Sequence, residues 1–155
     1  MKIISHRGNL EGINKNSENK PEQIDKVLML GYDVEIDLWS NLSNKKLFLG
    51  HDNPDFEISL KWLIERKDFI WVHCKNLDAL DLLSTEANFL NYFWHQEDDY
   101  TLTSKNYIWC YPSKKCPKNS IMVMPEWNNP ITIFQDLLSG EHMGICTDFP
   151  IIFKI

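Results

Sequence analysis

The sequence predicts an α/β fold built on a mostly parallel sheet, and three observations carry that prediction. Short apolar runs recur along the chain, helix-patterned segments lie between several of them, and the whole fits in 155 residues, the length of one domain. A chain of this size buries roughly 68–70% of the surface its unfolded form exposes, enough for a core. Residues 1–155 therefore read as a single domain, with no repeat and no low-complexity stretch.

The elements follow in order. Lys2–Ser5 is the first strand. Pro21–Gly31 reads as a helix, with Pro in its first turn and Gly just past its end. Asp33–Leu38 alternates strictly and is a strand, followed through the turn-like 40–44 by another at Lys46–Gly50. Ser59–Lys67 is a short helix with Ser59 as candidate N-cap. Phe69–His73 is a strand and Leu77–Ala87 a helix. Further strands fall at Tyr92–His95, Tyr107–Tyr111, Ser120–Met124 and Gly144–Thr147, with a helix at Ile131–Ser139 ended by Gly140. Seven or eight strands in this length leave no room for a full helical crossover between every pair. Some connections must be loops or abbreviated turns. Ser113–Asn119 reads as the most flexible of them.

Composition narrows the function classes. The chain is 43% hydrophobic and 25% charged, ordinary for a soluble globule. Its net charge is −6 with no basic stripe, which disfavours a nucleic-acid partner. The four cysteines include no C-x-x-C pair, so a zinc knuckle has no support. Cys74, Cys110 and Cys146 sit in or beside apolar runs, as reduced cysteines do. The first residues turn polar too early for a signal peptide, and no run reaches the ~20 apolar residues of a membrane span. A cytoplasmic protein with free thiols is expected. Oligomeric state is not legible.

The polar residues are placed more tellingly. Four of the five histidines stand at the end of an apolar run: His6, His51, His73 and His95. Each alone reads as a rim or core histidine. Four repeats of the placement point to one shared site, since α/β barrels carry their chemistry where strands end. Glu35 and Asp37, two apart on a strand, share a face, with about 6.5–7 Å between their α-carbons. That face is either the wet side of an amphipathic strand or a site for a hard divalent cation, which carboxylate oxygens bind. Arg7 offers a fork for phosphate oxygens, and Gly8 after it allows a tight backbone turn. Lys75 lies two residues beyond His73 and reads as a rim lysine or a substrate cation. Trp39, Trp94, Trp109 and Trp127 either line a pocket or fill gaps between shortened helices.

In order, His6-Arg7-Gly8, Glu18-Asn19, Glu35-x-Asp37, His51-Asp52 and Gly144-Ile145-Cys146-Thr147-Asp148-Phe149-Pro150 resemble the motif blocks of glycerophosphodiester phosphodiesterases. The first fifty residues carry most of the specificity, and the middle of the chain is only loosely similar. The resemblance implies a small, abbreviated TIM-type (β/α) barrel with several helices shortened or missing. It implies His6 and His51 as the acid–base pair, and Arg7 and Lys75 as substrate-binding residues. Glu35 and Asp37 become metal ligands for Ca²⁺ or Mg²⁺, with Glu18 a candidate third. In this family a neighbouring glycerol hydroxyl attacks first to give a cyclic phosphate, which water then opens. The substrate expected is a small phosphodiester of lipid metabolism.

Two departures stand out. Where the family has Glu-x-Lys on the next barrel strand, this chain has His73-Cys74-Lys75. Either the metal is one that accepts imidazole, such as Mn²⁺ or Zn²⁺, or it keeps fewer ligands, or His73 binds substrate. The chain is also shorter than the ~200 residues at the low end for such barrels. A degenerate barrel that binds a phosphorylated ligand without turnover is the alternative. A metal-dependent amide or ester hydrolase ranks last.

Overall fold

A computed structural model describes residues 1–128 and 142–153. The helix expected over Ile131–Ser139 lies outside the described residues. The centre is a ten-stranded sheet: β1 (Lys2–His6), β2 (Asp33–Asn41), β3 (Lys46–Leu49), β4 (Phe56–Ile58), β5 (Ile70–Cys74), β6 (Asn91–Phe93), β7 (Tyr100–Leu102), β8 (Ile108–Cys110), β9 (Ser120–Val123) and β10 (Gly144–Thr147). Among the described residues three α-helices accompany it, α1 (Pro21–Met29), α2 (Leu60–Glu65) and α3 (Leu77–Glu86). Pro21 opens α1 and left-handed Gly31 follows its end. Ser59 caps α2 by accepting the Trp62 N–H at 3.1 Å. Asn76 caps α3 in the same way through Ala79.

The parallel strands run β6-β5-β2-β1-β10-β9-β8. This array curls as a half-barrel, bringing the rings of Phe93 and Trp109 on its two end strands 4.6 Å apart. The architecture is that of an abbreviated barrel. An eighth parallel strand to complete the ring is not present among the described residues. Side chains and loop backbone bridge the seam instead. Ser104 donates its N–H to the Tyr92 carbonyl at 2.8 Å, and Thr101 Oγ1 donates to the Trp94 carbonyl at 2.8 Å.

Three strands depart from the parallel pattern read in the sequence. β3 and β4 form an antiparallel hairpin on β2, and β7 pairs antiparallel with β8. The reason is chain length: β2 and β3 are joined through residues 42–45 alone, far too few for a crossover. Helices link β1 to β2, β4 to β5 and β5 to β6, whereas residues 111–119 pass from β8 to β9 as a loop. The loop from β8 to β9 is one of the abbreviated connections that the element count required.

Burial divides along the pleat. Val34, Ile36 and Leu38 of β2 face outward into the layer formed with Ile24, Val27 and Leu83 of the helices. Inside the curl, Ile4, Trp71, Phe93, Trp109, Ile121 and Cys146 form a second cluster. Asp33 sits under it, accepting from the Trp71 indole at 2.9 Å and paired with Lys2 at 2.6 Å. The interior below the site is filled by aromatic rings, which leaves the upper end for polar groups.

Candidate active site

Strand register brings the polar residues together. β1 ends with His6 opposite Glu35, and β5 places His73 opposite Asp37. Above His6 the β3–β4 hairpin takes over the edge of β2 that β1 has left. Gly50 donates its N–H to the Asp37 carbonyl, and its own carbonyl accepts from the Trp39 indole at 2.7 Å. These bonds fix the backbone entering His51. A Cβ on Gly50 would stand 2.0 Å from the Asn53 carbonyl oxygen, and its φ is +148°, so only glycine fits.

The chain leaves β1 through two left-handed residues, Arg7 and Gly8. Arg7 donates its N–H to the Glu35 carbonyl, and its guanidinium lies 3.0 Å from Asp37 Oδ2 and 3.5 Å from Glu18. Asn19, also left-handed, clasps Asp37 twice: its amide donates to Oδ2, and its Oδ1 accepts the Asp37 N–H, both at 3.0 Å.

Glu35, Asp37 and His73 offer ligand atoms that all lie within 4.8 Å of one another. The His73 Nε2 stands 2.8 Å from the His95 carbonyl, which only accepts, so Nε2 carries a proton. In the neutral ring Nδ1 then presents a lone pair to Asp37 Oδ1 at 3.1 Å and Glu35 Oε1 at 3.7 Å. Asp37 Oδ1 is buried and accepts no hydrogen bond. Two carboxylates and a bare imidazole nitrogen facing one another fit a divalent cation, and the carbonyl behind the ring is the usual support for a ligating histidine. Glu18 stands outside this group, bonded to Asn9 and Arg7.

The two carboxyls are held differently. Burial works against the charge on Asp37, yet the charges of Arg7 and Lys75 hold it well below the usual carboxylate range. Burial and the neighbouring Asp37 push Glu35 up. A cation would relieve that repulsion.

His6 and His51 are oriented alike. His6 Nδ1 lies 2.8 Å from Asp148 Oδ1, and His51 Nδ1 lies 2.7 Å from Asp52 Oδ1. Among the described residues neither Nε2 has a hydrogen-bond partner. Their environments differ in sign: burial disfavours the His6 cation, but Asp148 and Glu35 outweigh it and raise its pKa. Burial lowers that of His51, aided by Arg7 and Lys75. Both rings line one cavity of about 330 Å³, together with Arg7, Glu35, His73, Lys75 and His95. Trp109, Tyr111, Pro112, Val123, Met124 and Trp127 form the facing wall.

No family model matches the sequence, and no curated protein matches it. Solved structures do. A glycerophosphodiester phosphodiesterase from Agrobacterium tumefaciens str. C58 superposes with a TM-score of 0.62 at 13% identity, over 99% of each chain. A candidate glycerophosphodiester phosphodiesterase from Galdieria sulphuraria gives 0.53 at 11% identity, over 96% of this chain and 94% of that one. The fold is that of glycerophosphodiester phosphodiesterases.

Within this glycerophosphodiester phosphodiesterase fold, the histidines at strand ends all reach the cavity, and so do Arg7, Glu35 and Lys75. Asp37 lies beneath them, 3.5 Å from the Lys75 ammonium. Of the four strand-end tryptophans, Trp109 and Trp127 reach the cavity; Trp39 braces Gly50 and Trp94 packs on the outer core. Residue-by-residue reading passed over the supports: Asn19 on Asp37, Asp148 on His6, and Glu126, which accepts from the Asp148 N–H at 2.7 Å and the Thr147 hydroxyl at 2.9 Å. Asn19 and Asp148 lie inside motif blocks, a signal that was available. Glu126 lies in none.

Proposed function

We propose that this chain is a metal-dependent phosphodiesterase acting on a glycerophosphodiester or a related small phosphodiester. The observation that carries the reading is the pair His6 and His51, each tethered through Nδ1 to a carboxylate and lining the one cavity that Glu35 and His73 also line. Fold likeness to glycerophosphodiester phosphodiesterases supports the same class. Among the described residues no helix is long and apolar enough to cross a membrane.

In this reading Arg7 and Lys75 hold the phosphate oxygens. His51, whose lowered pKa keeps it neutral, takes the proton of the attacking hydroxyl as that oxygen bonds to phosphorus. His6, whose raised pKa keeps it protonated, gives its proton to the departing alkoxide as the other P–O bond breaks. Where the attacker is a hydroxyl of the substrate itself the product is a cyclic phosphate. His6, now neutral, then takes a proton from water, and His51 returns one to the opened ring. Glu35, Asp37 and His73 would hold a divalent cation. Ca²⁺ and Mg²⁺ suit the carboxylates, and the imidazole admits Mn²⁺ and Zn²⁺. Such an ion supplies charge neutralisation at the phosphoryl oxygens.

The test is turnover of bis(p-nitrophenyl) phosphate and of glycerophosphocholine by chelator-stripped protein resupplied with each of the four metals. His6→Ala and His51→Ala run in parallel. Turnover by wild type that falls by roughly 10²–10⁴-fold in both variants supports the reading. Equal, negligible turnover by all three sinks it. If calorimetry then shows that inorganic phosphate still binds, a ligand-binding barrel without turnover takes its place.

A further inference from the structure

We infer that Cys110 and Cys116 are a reversible redox modification site, a dithiol that closes to a disulfide and pins the rim of the cavity. Cys110 is the last residue of β8 and is fully buried. Cys116 lies six residues on, partly exposed, in the loop that leads to β9. Their sulfurs stand 2.8 Å apart, and both also approach the Lys114 carbonyl, at 3.8 and 3.5 Å. The backbone between them is already turned back on itself: Ser113 is left-handed, and Lys114 donates its N–H to the Tyr111 carbonyl. The fold has thus brought the two sulfurs together before any covalent bond exists, so the bond can form without rearranging the loop and then holds it in that turn.

The sequence reading treated Cys110 as a packing residue beside an apolar run. Its burial agrees, but its neighbour is a second thiol rather than hydrocarbon. Cys74 and Cys146, also buried, have no such pairing shown.

The reaction needs an oxidant, and a low-molecular-weight disulfide, RSSR, serves. The accessible Cys116 thiolate attacks one sulfur, forming a mixed disulfide and releasing RS⁻. The Cys110 thiolate then attacks the Cys116 sulfur, closing the ring and releasing the second RS⁻. Two protein thiols and RSSR become one protein disulfide and two RSH, with two electrons passing to the small disulfide. Burial raises the Cys110 thiol, and that cause persists once Cys116 is in the mixed disulfide, so this second step is the slow one. Bond closure matters to the site because Tyr111 and Pro112, inside the ring, line the cavity, and Tyr111 meets the His95 ring edge-on at 5.7 Å.

The experiment equilibrates full-length protein with glutathione disulfide, quenches with acid, alkylates in denaturant and weighs the product. The expected result is a fall from four alkylated cysteines to two, reversed by dithiothreitol. A non-reducing tryptic digest joins the peptide Asn106–Lys114 to Cys116–Lys118, because trypsin cuts at Lys114 and Lys115 between the two sulfurs. Hydrogen exchange of amides 111–116 slows at least about threefold in the oxidised form, and does not slow in Cys116→Ala. Four cysteines still alkylated, a lasting glutathione adduct on Cys116, or a disulfide-linked dimer would each overturn the assignment. A disulfide that leaves exchange of 111–116 unchanged overturns the pinning. None of these readouts depends on phosphodiesterase activity.

Discussion

Asp148 Oδ1 lies 2.8 Å from His6 Nδ1, across a separation of 142 residues. β10 and β1 are neighbours in the sheet, so the carboxylate just past one strand reaches the ring that ends the other. Asn9 donates to the same oxygen at 2.8 Å, and Glu126 holds the Asp148 backbone from behind. His6 is therefore set in a stack of three further side chains.

Replacing Asp148 with Asn removes the charge that keeps His6 protonated while preserving its shape. We expect kcat on an aryl phosphodiester to fall about 10²–10³-fold with KM changed less than about threefold. Steady-state kinetics check this, and an NMR titration of His6 will show its pKa moving down. An unchanged His6 titration would remove Asp148 from the mechanism.

The pH profile follows from the signs of the two histidine shifts. His51 must be neutral to act as base, so activity rises with pH through a pKa below 6.5. His6 must be protonated to act as acid, so activity falls as pH rises through a pKa above 6.5. A bell-shaped kcat/KM profile results, and Asp148→Asn moves its alkaline limb to lower pH while leaving the acidic limb in place.

Metal binding is expected to raise the thermal midpoint of chelator-treated protein, with one ion per chain by calorimetry. Asp37→Asn will weaken that binding beyond the roughly 10–100-fold typical of losing an outer supporting residue. His73→Ala will do the same and will shift the preference toward Ca²⁺ and Mg²⁺, which favour oxygen ligands. A variant with wild-type affinity for every ion would place the cation elsewhere.

Gly50→Ala tests the hairpin that delivers His51. Its methyl meets the Asn53 carbonyl, so the hairpin must shift. Urea unfolding will show a loss of about 1–3 kcal/mol, and kcat will fall with the displaced His51. Gly8→Ala is a milder comparison, since its methyl meets Ile24 and Gln23 side-chain atoms at 3.1 and 3.2 Å, although its left-handed φ still carries strain.

Much of the site was legible because its residues stand where apolar runs stop: His6, His51, His73 and His95 all reached the cavity from that rule alone. The Glu35–Asp37 alternation likewise placed both carboxyls on the inner face. What could not be read was set by register and by short segments. His73 meets Asp37 because β5 pairs with β2 in one particular alignment, which no local pattern encodes. β4 and β7 are three residues each and preceded by acidic residues, too brief for periodicity to reveal. Glu126 acts on a backbone N–H 22 residues further along the chain, and nothing near it announces that partner.

The seam beside Trp94 has a consequence for what the cavity can admit. Elsewhere neighbouring strands are zipped by regular ladders, but there the ends of the sheet are tied by Thr101, Ser104 and the tilted rings of Phe93 and Trp109. Each such tie contributes only about 0.5–1.5 kcal/mol net. The wall bearing Trp109 and Tyr111 is thus joined to the wall bearing the carboxylates by single hydrogen bonds and by the packing of Trp109 on Phe93 and Trp71, so the room above the carboxylates is set by side-chain fit at that edge rather than by a backbone ladder.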